Sequence, residues 1–398
     1  MVLYMPICCL RRDESLMSRR WWLRAAVVWV MVGVCVWMQG QTLAQPGWRG
    51  SGMTVSVWWK HAVVYAVDLS KGDGLKGVVA RMDAMQALGA DAVLLSGLQS
   101  GTDAGIEPAA GTMDDFDAVL REASNRSLRV LVELKPTTAS VDVSGVARFW
   151  LSRGVAGFRL VSAEGDHGTQ MRQLRAAAKS YVGERVMIGD AAQVNVAAAK
   201  GRAYDGPQLV VDASIAVAPL DVAAIRKAIE KNDAMNKAGV GVPMLATAEG
   251  AGGGPELGKV VATLLLSSRG GTMIREGQEG TGTGEDSLAG WYRKVSALVR
   301  ANEAVKTGAN EMLNLDDQSA VAWVRRPQAV SYHNPAVVFV CNMTDKPVTL
   351  SLTAEMGKLK LKGTFLRKLL RSDQGMGAQS LASVKLGAYG VYVGELLF

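Results

Sequence analysis

The chain has 398 residues, of which 49% are hydrophobic and 20% charged, with a formal net charge of +7. Those are globular proportions with ample material for a large domain and a small one, and they exclude a disordered chain. Its basic residues are scattered, apart from the amino terminus and residues 358–371, which argues against a nucleic-acid partner.

In chain order, Arg19, Arg20 and Arg24 precede an apolar run from Ala25 to Met38, and Thr42-Leu43-Ala44 offers small residues before Gln45. The run is shorter than the ~20 residues that cross a bilayer, so residues 1–44 read as a cleaved signal peptide and the protein as secreted or periplasmic. An uncleaved segment is the alternative, and the only route to a membrane. Met17 is a possible true start. Residues 45–57 read as a linker. Cys8 and Cys9 precede Met17 and Cys35 lies in the apolar run, so only Cys341 remains after processing. A lone Cys in Ala336-Val337-Val338-Phe339-Val340 is expected in the core, with no disulfide, cysteine metal site or cofactor.

Apolar strand-like runs then alternate with helical patterns. The runs are Ala62 to Val67, Asp91 to Leu95, Arg129 to Leu134, Gly157 to Val161, Arg185 to Ile188, Gln208 to Val211, Pro243 to Ala246 and Thr272 to Ile274. The first helix, Leu75 to Leu88, carries Leu75, Val78, Val79, Met82 and Met85 on one face. Short, fully apolar strands alternating with helices argue for a parallel sheet covered on both faces. Eight such units predict an α/β fold, a closed (β/α)8 TIM barrel over residues 58–307. A last helix is expected from Leu288 to Val305. Short alternating strands at Ala320 to Val324, Val337 to Cys341, Val348 to Leu352 and Tyr389 to Val393 predict a small antiparallel β domain over residues 308–398.

Several stretches resemble the α-amylase family, glycoside hydrolase family 13. They are Trp58 to Tyr65, Leu75-Lys76-Gly77, Leu88 to Ala92, Gly111 to Asp117, Phe149-Trp150-Leu151, Arg153-Gly154-Val155, Gly157-Phe158-Arg159, Trp291 to Lys294 and Asn302 to Val305. The resemblance implies the barrel, the carboxy-terminal β domain and an ancestral reaction on α-linked glucans. Retaining glycosidases of this kind need a nucleophilic carboxylate and an acid/base carboxylate about 5–5.5 Å apart. By the resemblance, Val161 stands where the nucleophile belongs, and Arg159 is the arginine that braces it. Asp190 falls at the acid/base position, one methylene shorter than the family's Glu. Glu249 falls at the transition-state carboxylate, after Ala248 in place of a histidine, while Thr137 and Thr138 replace an asparagine and a histidine. The Ser96-to-Gly111 loop is short, few residues separate Thr138 from Val146, and Arg275-Glu276 replaces a tyrosine pair.

Of three histidines, His61 reads as structural, His333 lies in the β domain, and His167 sits beside Glu164 and Asp166 in what reads as a polar loop rather than a metal or acid/base cluster. The run Gly250 to Gly254 before Pro255 suggests either a replacement loop or phosphate cradling at a helix start, without a Lys-Ser/Thr ending. Two functional expectations follow. One is a non-catalytic binding or scaffolding protein whose partner is an α-linked glycan or another protein. The other is a residual α-glycosidase acting through Asp190 and Glu249, with Arg159 beside them.

Overall fold

The computed structural model describes residues 57–99, 105–136, 142–161, 167–191, 205–217, 221–239, 241–246, 254–375 and 377–397, all within one compact unit spanning Val57–Phe398. Eight parallel strands form a closed ring: β1 Val63–Asp68, β2 Ala92–Ser96, β3 Arg129–Leu134, β4 Gly157–Leu160, β5 Val186–Asp190, β6 Leu209–Asp212, β7 Val242–Ala246 and β8 Gly271–Arg275. Pairing of β1 with β8, Val64 opposite Met273, closes it. Alternate side chains point inward or outward because the strand repeat is two residues. Val64, Leu94, Leu131, Ile188, Val211, Met244 and Met273 fill the interior. Tyr65, Val93, Val130, Phe158, Met187, Leu245 and Ile274 pack outward into the helical layer. The same alternation turns Ser96, Glu133, Arg159, Val161, Asp190 and Arg275 inward at the carboxyl ends of their strands.

The helical layer comprises α1 Gly74–Ala87, α2 Met113–Asn125, α3 Val143–Ser152, α4 His167–Lys179, α5 Ser214–Val217, α6 Val222–Ala238, α7 Pro255–Ser267, α8 Leu288–Ala301 and α9 Glu303–Thr307. Their ends are set locally. Thr112 and Asp115 form a reciprocal capping box on α2, and Asp221 and Ser287 cap α6 and α8. Gly239 ends α6 in the left-handed region at φ 69°. The single helix expected over Leu288 to Val305 is two. Asn302 is extended (φ −114°, ψ 109°), and its side chain accepts from the Val305 amide to start α9.

The carboxy-terminal part holds a six-stranded antiparallel sheet. Its strands are β9 Ala309–Leu313, β10 Ala320–Arg326, β11 Val337–Asn342, β13 Phe365–Arg371, β14 Gln379–Ser380 and β16 Val391–Leu397. A separate pair, β12 Val348–Leu350 and β15 Val384–Leu386, and helix α10 Thr353–Lys358 complete it. β10 and β11 are buried on both faces rather than one. Val321, Trp323, Phe339 and Cys341 join the barrel's core, whereas Ala322, Val324, Val338 and Val340 join a second core on the far side. Cys341 is fully buried, as expected, and burial pushes its thiol well above the usual range. β13 escaped the sequence reading because Phe365-Leu366-Arg367-Lys368-Leu369-Leu370-Arg371 lacks strand alternation; a register shift between Lys368 and Leu370 breaks the period.

Candidate active site at the carboxyl end of the barrel

In a barrel of this kind, chemistry is built at the carboxyl ends of the strands. Here that rim carries a chain of polar side chains crossing β2 to β5. Ser96 Oγ donates to Glu133 Oε2 at 3.0 Å. The Arg159 guanidinium donates through Nη1 to the same oxygen at 3.0 Å and through Nη2 to Asp190 Oδ1 at 3.2 Å. Arg159 therefore bridges the two carboxylates, with side-chain exposures of 11% for Arg159, 14% for Glu133 and 31% for Asp190. Strand register makes the bridge unavoidable: Arg159 is paired with Glu133 on one side and with Ile188, two residues before Asp190, on the other. The spacing demands a glycine two residues earlier, because a Cβ on Gly157 would meet the Val186 carbonyl oxygen at 2.0 Å.

Val161 follows β4, half-buried, with its amide donating to the Leu134 carbonyl at 2.9 Å. It shares the inward face with Arg159 and offers only methyl groups there. At the end of β1, Asp68 accepts from the Ser70 amide and hydroxyl and pairs with Lys71 at 3.2 Å. Burial alone would raise its carboxyl, but the Ser70 hydrogen bonds and the Lys71 ammonium hold it below the usual value. Glu276 turns aside to pair with Arg81 of α1 at 2.8 Å, while the Arg275 amide is held by Gln278 Oε1. Asp212 points outward, buried, to the Ser214 amide and to Lys231 of α6.

Of the residues singled out in the sequence, Arg159 and Asp190 are brought together, with Val161 on the same inward face. Glu249, Thr137, Thr138, Glu164, Asp166 and residues 250–253 lie outside the described residues. His167 begins α4. Glu133 and Ser96 were missed as site residues. Their signal was a polar side chain at an inward position of an otherwise apolar strand. A second missed cluster lies behind the strand ring. The Tyr65 hydroxyl donates to Glu279, and burial raises both the phenol and the carboxyl above their usual values.

A closed ring of eight parallel strands wrapped by helices and followed by an antiparallel sheet is the (β/α)8-barrel architecture with a terminal β domain. No protein-family model matches the chain. It is 34% identical over 95 residues to a probable α-glucosidase of Rhizobium meliloti, covering 19% of this chain and 17% of that protein. It is 31% identical over 103 residues to a probable oligo-1,6-glucosidase of Bacillus subtilis, covering 21% and 18%. A longer match, 26% identical over 167 residues, is to an amino acid transporter heavy chain of Oryctolagus cuniculus, covering 34% and 31%. The chain thus spans less than a fifth of the glucosidases it matches. Among solved structures, trehalose-6-phosphate hydrolase from Bacillus licheniformis superposes with a TM-score of 0.71 at 14% identity, over 86% of this chain and 100% of that one. Isomaltulose synthase from Klebsiella does so with 0.69 at 14%, over 85% and 99%. The chain is related to the α-amylase family, glycoside hydrolase family 13, and shares its barrel fold.

Proposed function

We propose that this protein is a non-catalytic member of the α-amylase lineage, working as a binding or scaffolding protein for an α-linked glycan or a protein partner. The observation that supports this reading is the bridged chain Ser96–Glu133–Arg159–Asp190. A general acid must present a proton to the leaving oxygen. Asp190 instead presents an acceptor oxygen to a guanidinium in a charge-assisted hydrogen bond. Val161, assigned by resemblance to the nucleophile position, has no atom that can attack a sugar. Residues 1–44 would direct export, a reading tested by sequencing the amino terminus of the protein made in its own host.

The second reading, a residual α-glycosidase, is favoured by the names of the glucosidase relatives. It would use Asp190 and Glu249. Assay of purified protein on starch, maltooligosaccharides and trehalose separates the two. The first reading expects no reducing sugar released, and no difference between the wild type and the Asp190→Ala or Glu249→Ala variants. Turnover abolished by either substitution selects the second. Calorimetric titration with α-glucan then distinguishes a glycan partner from a protein one.

A further inference from the structure

At the opposite, amino-terminal end of the barrel a cavity of about 480 Å³ opens among the strand entries, Arg175 of α4 and the end of α6. Its lining includes Trp59, Lys60, His61, Arg175, Gln208 and Arg269 and, among the described residues, no aspartate or glutamate, although the Trp59 indole donates to Glu184 at 3.1 Å. The guanidiniums are held in place from behind. Arg269 donates to Asp233 at 3.0 Å, and Arg175 donates to the Gly206 carbonyl. Lys60 is exposed and makes no ion pair among the described residues, so its ammonium is free to meet a ligand. Behind the wall lies a fourth cation, Arg325, fully buried. Among the described residues its guanidinium reaches the Ser267 and Lys306 carbonyls, at 3.3 and 3.5 Å, its Nε has no partner, and Asp233 acts on it only at longer range. A buried cation without a carboxylate is costly unless another anion offsets it.

The imbalance is felt by His61. Burial first, then the charges of Arg325, Lys306 and Arg269, push its imidazole down to about 4, and only Glu303 opposes them. A cavity of this size falls in the range that holds a small metabolite.

We propose that this cavity is a binding site for a small phosphate-bearing anion, either free phosphate or a phosphorylated metabolite. The anion sits between Lys60, Arg175 and Arg269 and offsets their positive charge. The site is separate from Asp190 and stands independently of any glycosidic reading.

The test is calorimetric titration of the full chain with inorganic phosphate, glucose 6-phosphate and uncharged glucose, alongside an NMR pH titration of His61. Both anions are expected to bind and glucose is not. Tighter binding of the sugar phosphate identifies a phosphorylated metabolite, and equal binding identifies phosphate itself. Bound anion raises the His61 pKa from about 4. Lys60→Glu weakens binding by about tenfold or more, the equivalent of ~1.4 kcal/mol. Lys358→Glu, in the β domain, leaves it unchanged. Unaltered affinity in Lys60→Glu overturns the proposal. So does the absence of both heat and a His61 shift with roughly 10 mM of either anion, weaker than any millimolar site.

Discussion

Arg159 decides what the rim of the barrel can do, because one guanidinium satisfies two carboxylates from different strands. Replacing it by Met leaves Glu133 and Asp190 without their shared cation. Removing one member of a largely buried ion pair typically costs about 3 kcal/mol or more, so Arg159→Met is expected to lower the urea midpoint by that equivalent. Asp190→Asn, which keeps the shape and an acceptor oxygen, should cost less. His61 gives a pH prediction at the same scale. Its folded pKa is about 4, below the ordinary 6.5, so the unfolded chain binds a proton that the folded chain refuses. Stability contributed by neutral His61 is therefore full above about 6.5 and falls as the pH drops toward 4. Denaturant titrations across that window should show a steeper loss for wild type than for His61→Gln, and an equal slope would remove the effect from His61.

Among the elements, the strands were legible because each is a short apolar run whose two faces are both covered, and the helices because apolar residues such as Leu75, Val78, Met82 and Met85 recur at helical spacing. Where an element depends on contacts distant in sequence, the reading failed. Asn302 interrupts a helix whose apolar spacing continues past it, and β13 is recruited into a sheet by β16 despite a charged, irregular sequence. The close approach of β4 to β5 gives the sharpest prediction at this scale. Gly157→Ala must displace the Val186 carbonyl, and overpacking of that kind costs ~1–3 kcal/mol. Thermal melts should show a lower midpoint with an unchanged glycan- or anion-binding profile.

Across the whole molecule, the barrel and the terminal sheet are one body rather than two beads. Trp323 and Phe339 stack at 5.0 Å within a core they share with α7 and α8. Arg226 of α6, buried, donates to the carbonyls of Asn314, Leu315, Asp317 and Ala320. Residues 57–398 are accordingly expected to melt in one calorimetric transition. Arg226→Ala should destabilise that single transition by roughly 2–3 kcal/mol through its orphaned carbonyls, and two resolved transitions in the wild type would contradict the shared core. Among the described residues no helix is long and apolar enough to cross a membrane.

By itself the sequence determined the alternation of strands and helices, the barrel they close into, the terminal sheet and the kinship with α-amylases. All of these are written in short-range periodicity and local motifs. It placed Arg159, Asp190 and Val161 on a rim but not what they do to one another. Only the tertiary structure joined Ser96 and Glu133 to them, tied Arg226 to a turn some ninety residues away, and gathered Lys60, Arg175, Arg269 and Arg325 around His61. Periodicity is a property of neighbours along the chain, whereas a charge cluster exists only once the ring of strands has brought distant segments together.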